Sequence, residues 1–157
     1  REVSQMSIDL EEEYEKIYRY CYMKLRNQHL AEDITQETFL RFLEEGCYEE
    51  RGKRLSYLYT IARNRCIDFY RSKKWESLEE EIPAESQEER LLTVLELQRA
   101  VGALDTQEQE LIFLRYVNEV PIQEIGRILG ISRFAVYRKI REILKKMKIS
   151  LREEEHP

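Results

Sequence analysis

Pro121-Ile-Gln-Glu-Ile-Gly-Arg-Ile-Leu-Gly-Ile-Ser-Arg-Phe-Ala-Val-Tyr-Arg-Lys-Ile-Arg141 reads as a helix, a tight turn and a second helix. Ile122, Ile125 and Leu129 recur at helical spacing, which gives the first helix one apolar face. Gly130 stands where a helix end favours a residue tolerant of positive φ. Ser132 follows where a side-chain oxygen can cap the next helix. In that second helix Val136, Ile140, Ile143 and Met147 form an inward stripe. The opposite side carries Arg133, Phe134, Tyr137, Arg138 and Arg141. A helix that turns cationic and planar side chains outward suits a DNA major groove. An ordinary helical hairpin would share the apolar spacing, but not the coincidence of glycine, cap and basic face. Arg133 and Arg138 are the candidate base or phosphate contacts, since arginine can pair bidentately with guanine. Lys139 and Arg141 suit phosphates, and Phe134 and Tyr137 suit thymine methyls, sugars or a protein surface.

Working outward, the chain has 157 residues, 36% of them charged, with 5 Gly and 3 Pro. That composition favours an all-α protein of one ordinary domain or two small ones. The net charge of −5 argues at first against nucleic acid, but the charge is segregated. Arg51 to Lys74 holds eight cations against Asp68, and Arg133 to Lys148 holds seven against Glu142. Between them, Trp75 to Glu96 holds eight Glu and one Arg. Two basic modules joined by an acidic segment suit a protein that touches DNA twice and something else besides. The expected domains are residues 8–74 and 89–151, joined by an acidic linker over 75–88 that contains Pro83.

No apolar run approaches the roughly 18 residues that span a membrane, and no secretory signal pattern is present. The chain opens on Arg1, with Met6 a candidate start. Cys21, Cys47 and Cys66 are widely spaced and form no metal-ligand pair, which suggests reduced thiols in a cytoplasm. His29 and His156 lack triad or zinc-site companions. No catalytic residue, metal or cofactor is therefore expected, and an enzyme is the least supported class.

The N-terminal half reads as three helices. Leu10, Tyr14, Ile17, Cys21 and Leu25 stripe the first, with Glu11, Glu12, Glu13 and Glu15 in its early turns, where the helix dipole favours anions. The second runs from about His29 to Glu45 with Ala31, Ile34, Thr38 and Phe42 inward. Asp33, Gln36, Glu37 and Leu40 share another face; a solvated acidic face is the usual reading of such a pattern, and the leucine among the acids adds protein docking as the alternative. The third runs from about Lys53 to Lys74, with Leu55, Leu58, Tyr59, Ala62, Cys66 and Phe69 inward. Its second stripe is Arg54, Tyr57, Ile61, Asn64, Arg65, Asp68 and Arg71. Cations there would neutralise phosphates while rings stack on unpaired bases. A basic surface helix with core tyrosines explains that stripe equally well.

These residues resemble a family. His29-Leu-Ala-Glu-Asp-Ile-Thr-Gln-Glu-Thr-Phe-Leu-Arg41 resembles conserved region 2 of bacterial sigma-70-type factors, near the segment that grips the RNA polymerase clamp. Leu58-Tyr-Thr-Ile-Ala-Arg-Asn-Arg-Cys-Ile-Asp-Phe-Tyr-Arg71 resembles the −10 recognition helix of that region, and Ala103 through Met147 resembles region 4, which reads the −35 element. The short chain without regions 1 and 3 points to the extracytoplasmic-function (ECF) group. Departures are Asp105 where proline is frequent, Tyr57 for a frequent Trp, and Ala135 and Tyr137 for a common Thr and Lys. Thr106 with Gln109 is expected to form a capping box after Asp105.

The resemblance implies a non-catalytic transcription subunit. Asp33, Gln36, Glu37 and Leu40 would meet the β′ clamp helices of core polymerase, and region 4 would sit on the β flap with its last helix in the −35 groove. The third-helix stripe, with the loop from Tyr48 to Arg54, would hold a flipped base of the −10 promoter DNA, and that capture offsets the unstacking cost. The acidic linker would pass through polymerase channels towards the RNA exit. An anti-sigma factor is an expected partner. Two other classes fit the residues alone: a conventional helix-turn-helix regulator on a palindromic site, and an adaptor whose basic faces bind acidic proteins.

Overall fold

Helix α1 (Glu2–Leu25) opens the chain, followed by α2 (Gln28–Glu45) and α3 (Arg51–Ser72). The computed structural model describes residues 2–45, 51–72 and 99–155, with side chains over 9–45, 54–72 and 99–149. The acidic linker and residues 46–50 between α2 and α3 lie outside the described residues, Cys47 and Tyr48 among them. The described residues are helical apart from turns and short connections, with no strand among them. The chain divides into two units, residues 1–81 and 82–157.

The N-terminal unit is a three-helix bundle. The α1–α2 corner is sharp because Arg26 takes φ 54° and its N–H donates to Tyr22 O at 2.8 Å. Asn27 Oδ1 then accepts from Leu30 N at 3.1 Å and caps α2 one residue earlier than expected. Ile17, Cys21 and Leu25 are buried on α1, as expected, while Leu10 and Tyr14 are half-buried. Two α1 residues outside the expected stripe are also buried. Tyr20 meets Tyr59 edge-on with ring centroids 5.5 Å apart, and Glu13 lies inside as well.

Helix α2 presents Ala31, Ile34, Thr35, Thr38 and Phe42 inward. The two threonines satisfy their own hydroxyls, Thr35 donating to Ala31 O at 2.6 Å and Thr38 to Ile34 O at 2.7 Å. Helix α3 buries Leu55, Leu58, Tyr59, Ala62 and Cys66, with Phe69 half-buried. Each buried leucine among them contributes roughly 1.5–3 kcal/mol. The Cys66 thiol hydrogen-bonds Cys21, which holds the Cys21 thiol below its ordinary pKa against the opposing effect of burial.

In the C-terminal unit a helical stretch over residues 99–102 precedes α4 (Thr106–Ile112), a π-helical turn over Phe113–Val117, α5 (Ile122–Leu129) and α6 (Arg133–Glu155). Its core is Ala100, Leu104, Leu111, Leu114, Val120, Ile125, Ile128, Val136, Ile140 and Ile143. The capping box on α4 differs from expectation. Asp105 itself is the cap, its carboxylate accepting from Glu108 N at 2.8 Å while Glu108 accepts from Asp105 N at 3.1 Å. Gln109 instead donates to Val101 O and Leu104 O, tying α4 to the preceding turn. Aspartate caps as well as threonine does, so the box starts one residue earlier than the Thr106–Gln109 pairing implied.

Candidate nucleic-acid interface

The turn between α5 and α6 sets the aim of α6. Gly130 adopts φ 71°, ψ 32°, the left-handed cap expected from its place in the sequence. Ser132 Oγ accepts from Ala135 N at 3.1 Å and caps α6, also as expected. A second glycine matters more than the sequence suggested. A Cβ on Gly126 would lie 2.7 Å from Ile131 O, so the chain leaving the turn passes directly over that residue. The available signal was a glycine inside a short amphipathic helix, one turn before the capping glycine.

From that turn α6 runs with Val136, Ile140 and Ile143 buried and Met147 half-buried. Arg133, Phe134, Tyr137, Arg138, Lys139 and Arg141 are all exposed. Phe134 is 69% exposed and Tyr137 53%, values that leave most of each ring open to a partner. The Arg133 guanidinium stands 5.1 Å from the Phe134 ring centroid, so the cation lies over the ring face at the helix start. Further along, Lys146 donates to Glu108 at 2.9 Å; this hydrogen bond, with the carboxylate's charge, raises the Lys146 pKa and anchors α6 to α4.

In the N-terminal unit, Asp33, Gln36, Glu37 and Leu40 are exposed together on α2. Leu40 is 61% exposed, and Leu43, which the sequence reading omitted, is equally so. The spacing of Leu40 and Leu43 was the available signal, since residues three apart share a helix face.

The α3 stripe is less uniform than expected. Asn64, Asp68 and Arg71 are exposed, and Tyr57 and Arg65 are half-buried. Tyr57 hydrogen-bonds Glu45, and Arg65 Nη2 lies 2.6 Å from Glu37 Oε1. Two residues depart from the open stripe. Ile61 is only 8% exposed and belongs to the core. Arg54 turns inward onto Glu13, with Nη2 to Oε1 at 2.8 Å and Nε to Oε2 at 3.1 Å. The contact with Glu13 on α1 draws Arg54 in, while Ile61 is buried although helical spacing places it within the stripe. Glu13 is the corresponding omission. It sits among Glu11, Glu12 and Glu15, and a run of glutamates reads as a solvated helix start.

Among the described residues, no group of three or more His, Cys, Asp or Glu is placed to hold a metal ion, and no helix is long and apolar enough to cross a membrane.

Comparison with known proteins gives this geometry a context. The Sigma-70 region 2 family matches residues 10–76, and the Sigma-70, region 4 family matches residues 95–147. The ECF RNA polymerase sigma factor SigW of Bacillus subtilis is 33% identical over 154 residues, covering 84% of this chain and 82% of that protein. The ECF RNA polymerase sigma factor BldN of Streptomyces coelicolor is 32% identical over 145 residues, covering 82% of this chain, which spans only 55% of BldN's length. The solved structure of CnrH in complex with the cytosolic domain of CnrY shares the fold, with a TM-score of 0.60 at 20% identity over 88% of this chain and 81% of that one. Region 2 and region 4 occur in the order that the two helical units present them, and the match to SigW runs through both: the chain belongs to the ECF group of sigma-70-type RNA polymerase sigma factors.

Proposed function

We propose that this chain docks on core RNA polymerase in the cytoplasm and supplies −10 and −35 promoter recognition, without catalytic chemistry of its own. The carrying observation is α6, which buries one stripe and leaves Arg133, Phe134, Tyr137, Arg138, Lys139 and Arg141 exposed. That is the side-chain set a recognition helix needs in the −35 major groove. Arg133 and Arg138 read bases or bind phosphates, and Lys139 and Arg141 bind phosphates.

Region 2, residues 8–74, supplies the other contacts. Asp33, Gln36, Glu37 and Leu40, with Leu43, offer an acidic and apolar surface to the β′ clamp helices. Tyr57, Asn64, Arg65, Asp68 and Arg71 face the −10 strand, where a ring and cations can hold an unstacked base. Arg54 supports this helix through Glu13 rather than from its DNA face. Region 4, residues 89–151, sits on the β flap, and the acidic segment over 75–88 bridges the two through polymerase channels. An anti-sigma factor is a further partner, a reading supported by the fold shared with CnrH, solved in complex with CnrY.

The test is run-off transcription. Core polymerase with this chain should transcribe from specific promoters that core alone ignores, and Asp33→Arg should abolish core binding in a pull-down while leaving helix content unchanged. Tight binding of the chain alone to a palindromic site, with no gain in run-off, would mark a conventional regulator instead.

A further inference from the structure

We propose that the Glu37–Arg65 ion pair is an intramolecular latch in which the carboxylate that docks polymerase masks the guanidinium that binds −10 DNA. The inference rests on the roles given to those two faces above. One residue from each face enters the contact: Glu37 on α2, and Arg65 on α3. Their 2.6 Å separation is the direct link between the surface for polymerase and the surface for DNA.

The contact is built to exchange. Both side chains keep access to water, 47% exposed for Glu37 and 34% for Arg65. The Arg65 guanidinium reaches Glu37 through Nη2, whereas its buried Nε has no hydrogen-bond partner among the described residues. Arg54, by contrast, donates to Glu13 from both Nε and Nη2 and is mostly enclosed. Arg65 is thus held at one end by one carboxylate, and a phosphate could satisfy it better.

The surroundings determine what displaces each partner. Asp33 and Leu40 flank Glu37 on the exposed side of α2, so a cationic partner surface seated on Asp33 comes within reach of Glu37. Asn64, Asp68 and Arg71 are the exposed residues around Arg65 on α3, so a strand lying along them comes within reach of its guanidinium. One Glu37 carboxylate cannot serve Arg65 and a cationic clamp equally. Polymerase that engages Glu37 frees Arg65 for DNA, and DNA that engages Arg65 frees Glu37 for polymerase. The coupling is reciprocal by thermodynamic linkage. A half-exposed pair limits its size to about five-fold, the equivalent of ~1 kcal/mol.

The test uses the full chain and a fluorescein-labelled non-template −10 strand from a promoter that the holoenzyme transcribes, read by anisotropy at low salt. Without core polymerase, Glu37→Gln should bind the strand more tightly than wild type, by up to about five-fold. The gain should vanish when Arg65→Gln is added. Equal affinities for wild type and Glu37→Gln, binding too weak to measure in both, or a gain that persists with Arg65→Gln would each overturn the latch. The underlying reading fails separately: if holoenzyme carrying Arg65→Gln holds the strand as wild type does, Arg65 is not a DNA contact.

Discussion

Arg54→Ala tests whether that arginine is structural. Its guanidinium makes three donor–acceptor approaches to Glu13, at 2.8, 3.1 and 3.3 Å, and the two side chains are 15% and 8% exposed. Removing the cation leaves the Glu13 carboxylate enclosed and uncompensated. Breaking a buried pair from one side typically costs about 3–5 kcal/mol. Residual solvent access at Arg54 reduces this, and about 2–4 kcal/mol is the expected loss. For a small helical unit each kcal/mol moves the melting temperature by roughly 4–8 °C, so a fall of at least about 8 °C is expected. The assay is thermal unfolding followed by far-ultraviolet circular dichroism, beside Arg71→Ala as an exposed control expected to change stability by less than about 0.5 kcal/mol. Replacing both partners, as in Glu13→Leu with Arg54→Met, should recover most of the loss, because no buried charge is then left alone. An Arg54→Ala protein that melts within about 2 °C of wild type would refute the reasoning and return Arg54 to the DNA-facing set.

Gly126→Ala should destabilise the helix-turn-helix unit by about 1–3 kcal/mol despite alanine's better helix propensity, because the clash is with backbone; denaturant unfolding would show no loss if the turn can shift freely. Arg138→Ala should lower run-off from promoters with an intact −35 element and change the preference among −35 variants, a bidentate contact being worth roughly 1–3 kcal/mol per base. Equal loss on every variant would make it a backbone contact. Arg71→Ala should reduce permanganate reactivity of unpaired −10 thymines more than it reduces core binding, and wild-type footprints would mean this end of α3 is scaffold.

The recognition unit was legible because its determinants are local. Gly130, Ser132 and the Val136–Ile140 stripe act within a few residues of themselves, and the structure places each where spacing puts it. The fault in the α4 cap was equally local, a choice between adjacent cap formers decided by which side chain reaches the third backbone N–H. The misreadings in region 2 have a different origin. Arg54 and Glu13 are 41 residues apart, and no single-helix periodicity links them. Tyr20 lies at the edge of its stripe and Ile61 within the outward one, and their burial depends on how the neighbouring helices pack. The Glu37–Arg65 contact likewise joins two faces that the sequence shows only as separate patterns.

The inward side of α2 has a mechanical consequence. Apart from Ile34 and Phe42 it is lined by three short side chains, Ala31 and two threonines, Thr35 and Thr38, whose hydroxyls bond to carbonyls of their own helix. Long side chains could absorb a push by changing rotamer, but these have almost no such slack, and close-packed interiors compress little. Load applied to the outer side of α2 by a bound protein therefore reaches α1 and α3 as displacement of a rod rather than dissipating in side-chain motion. In this respect α2 is a stiff lever, and substituting Thr35 or Thr38 with a longer, pliable residue would add play to the linkage even if the bundle still folded.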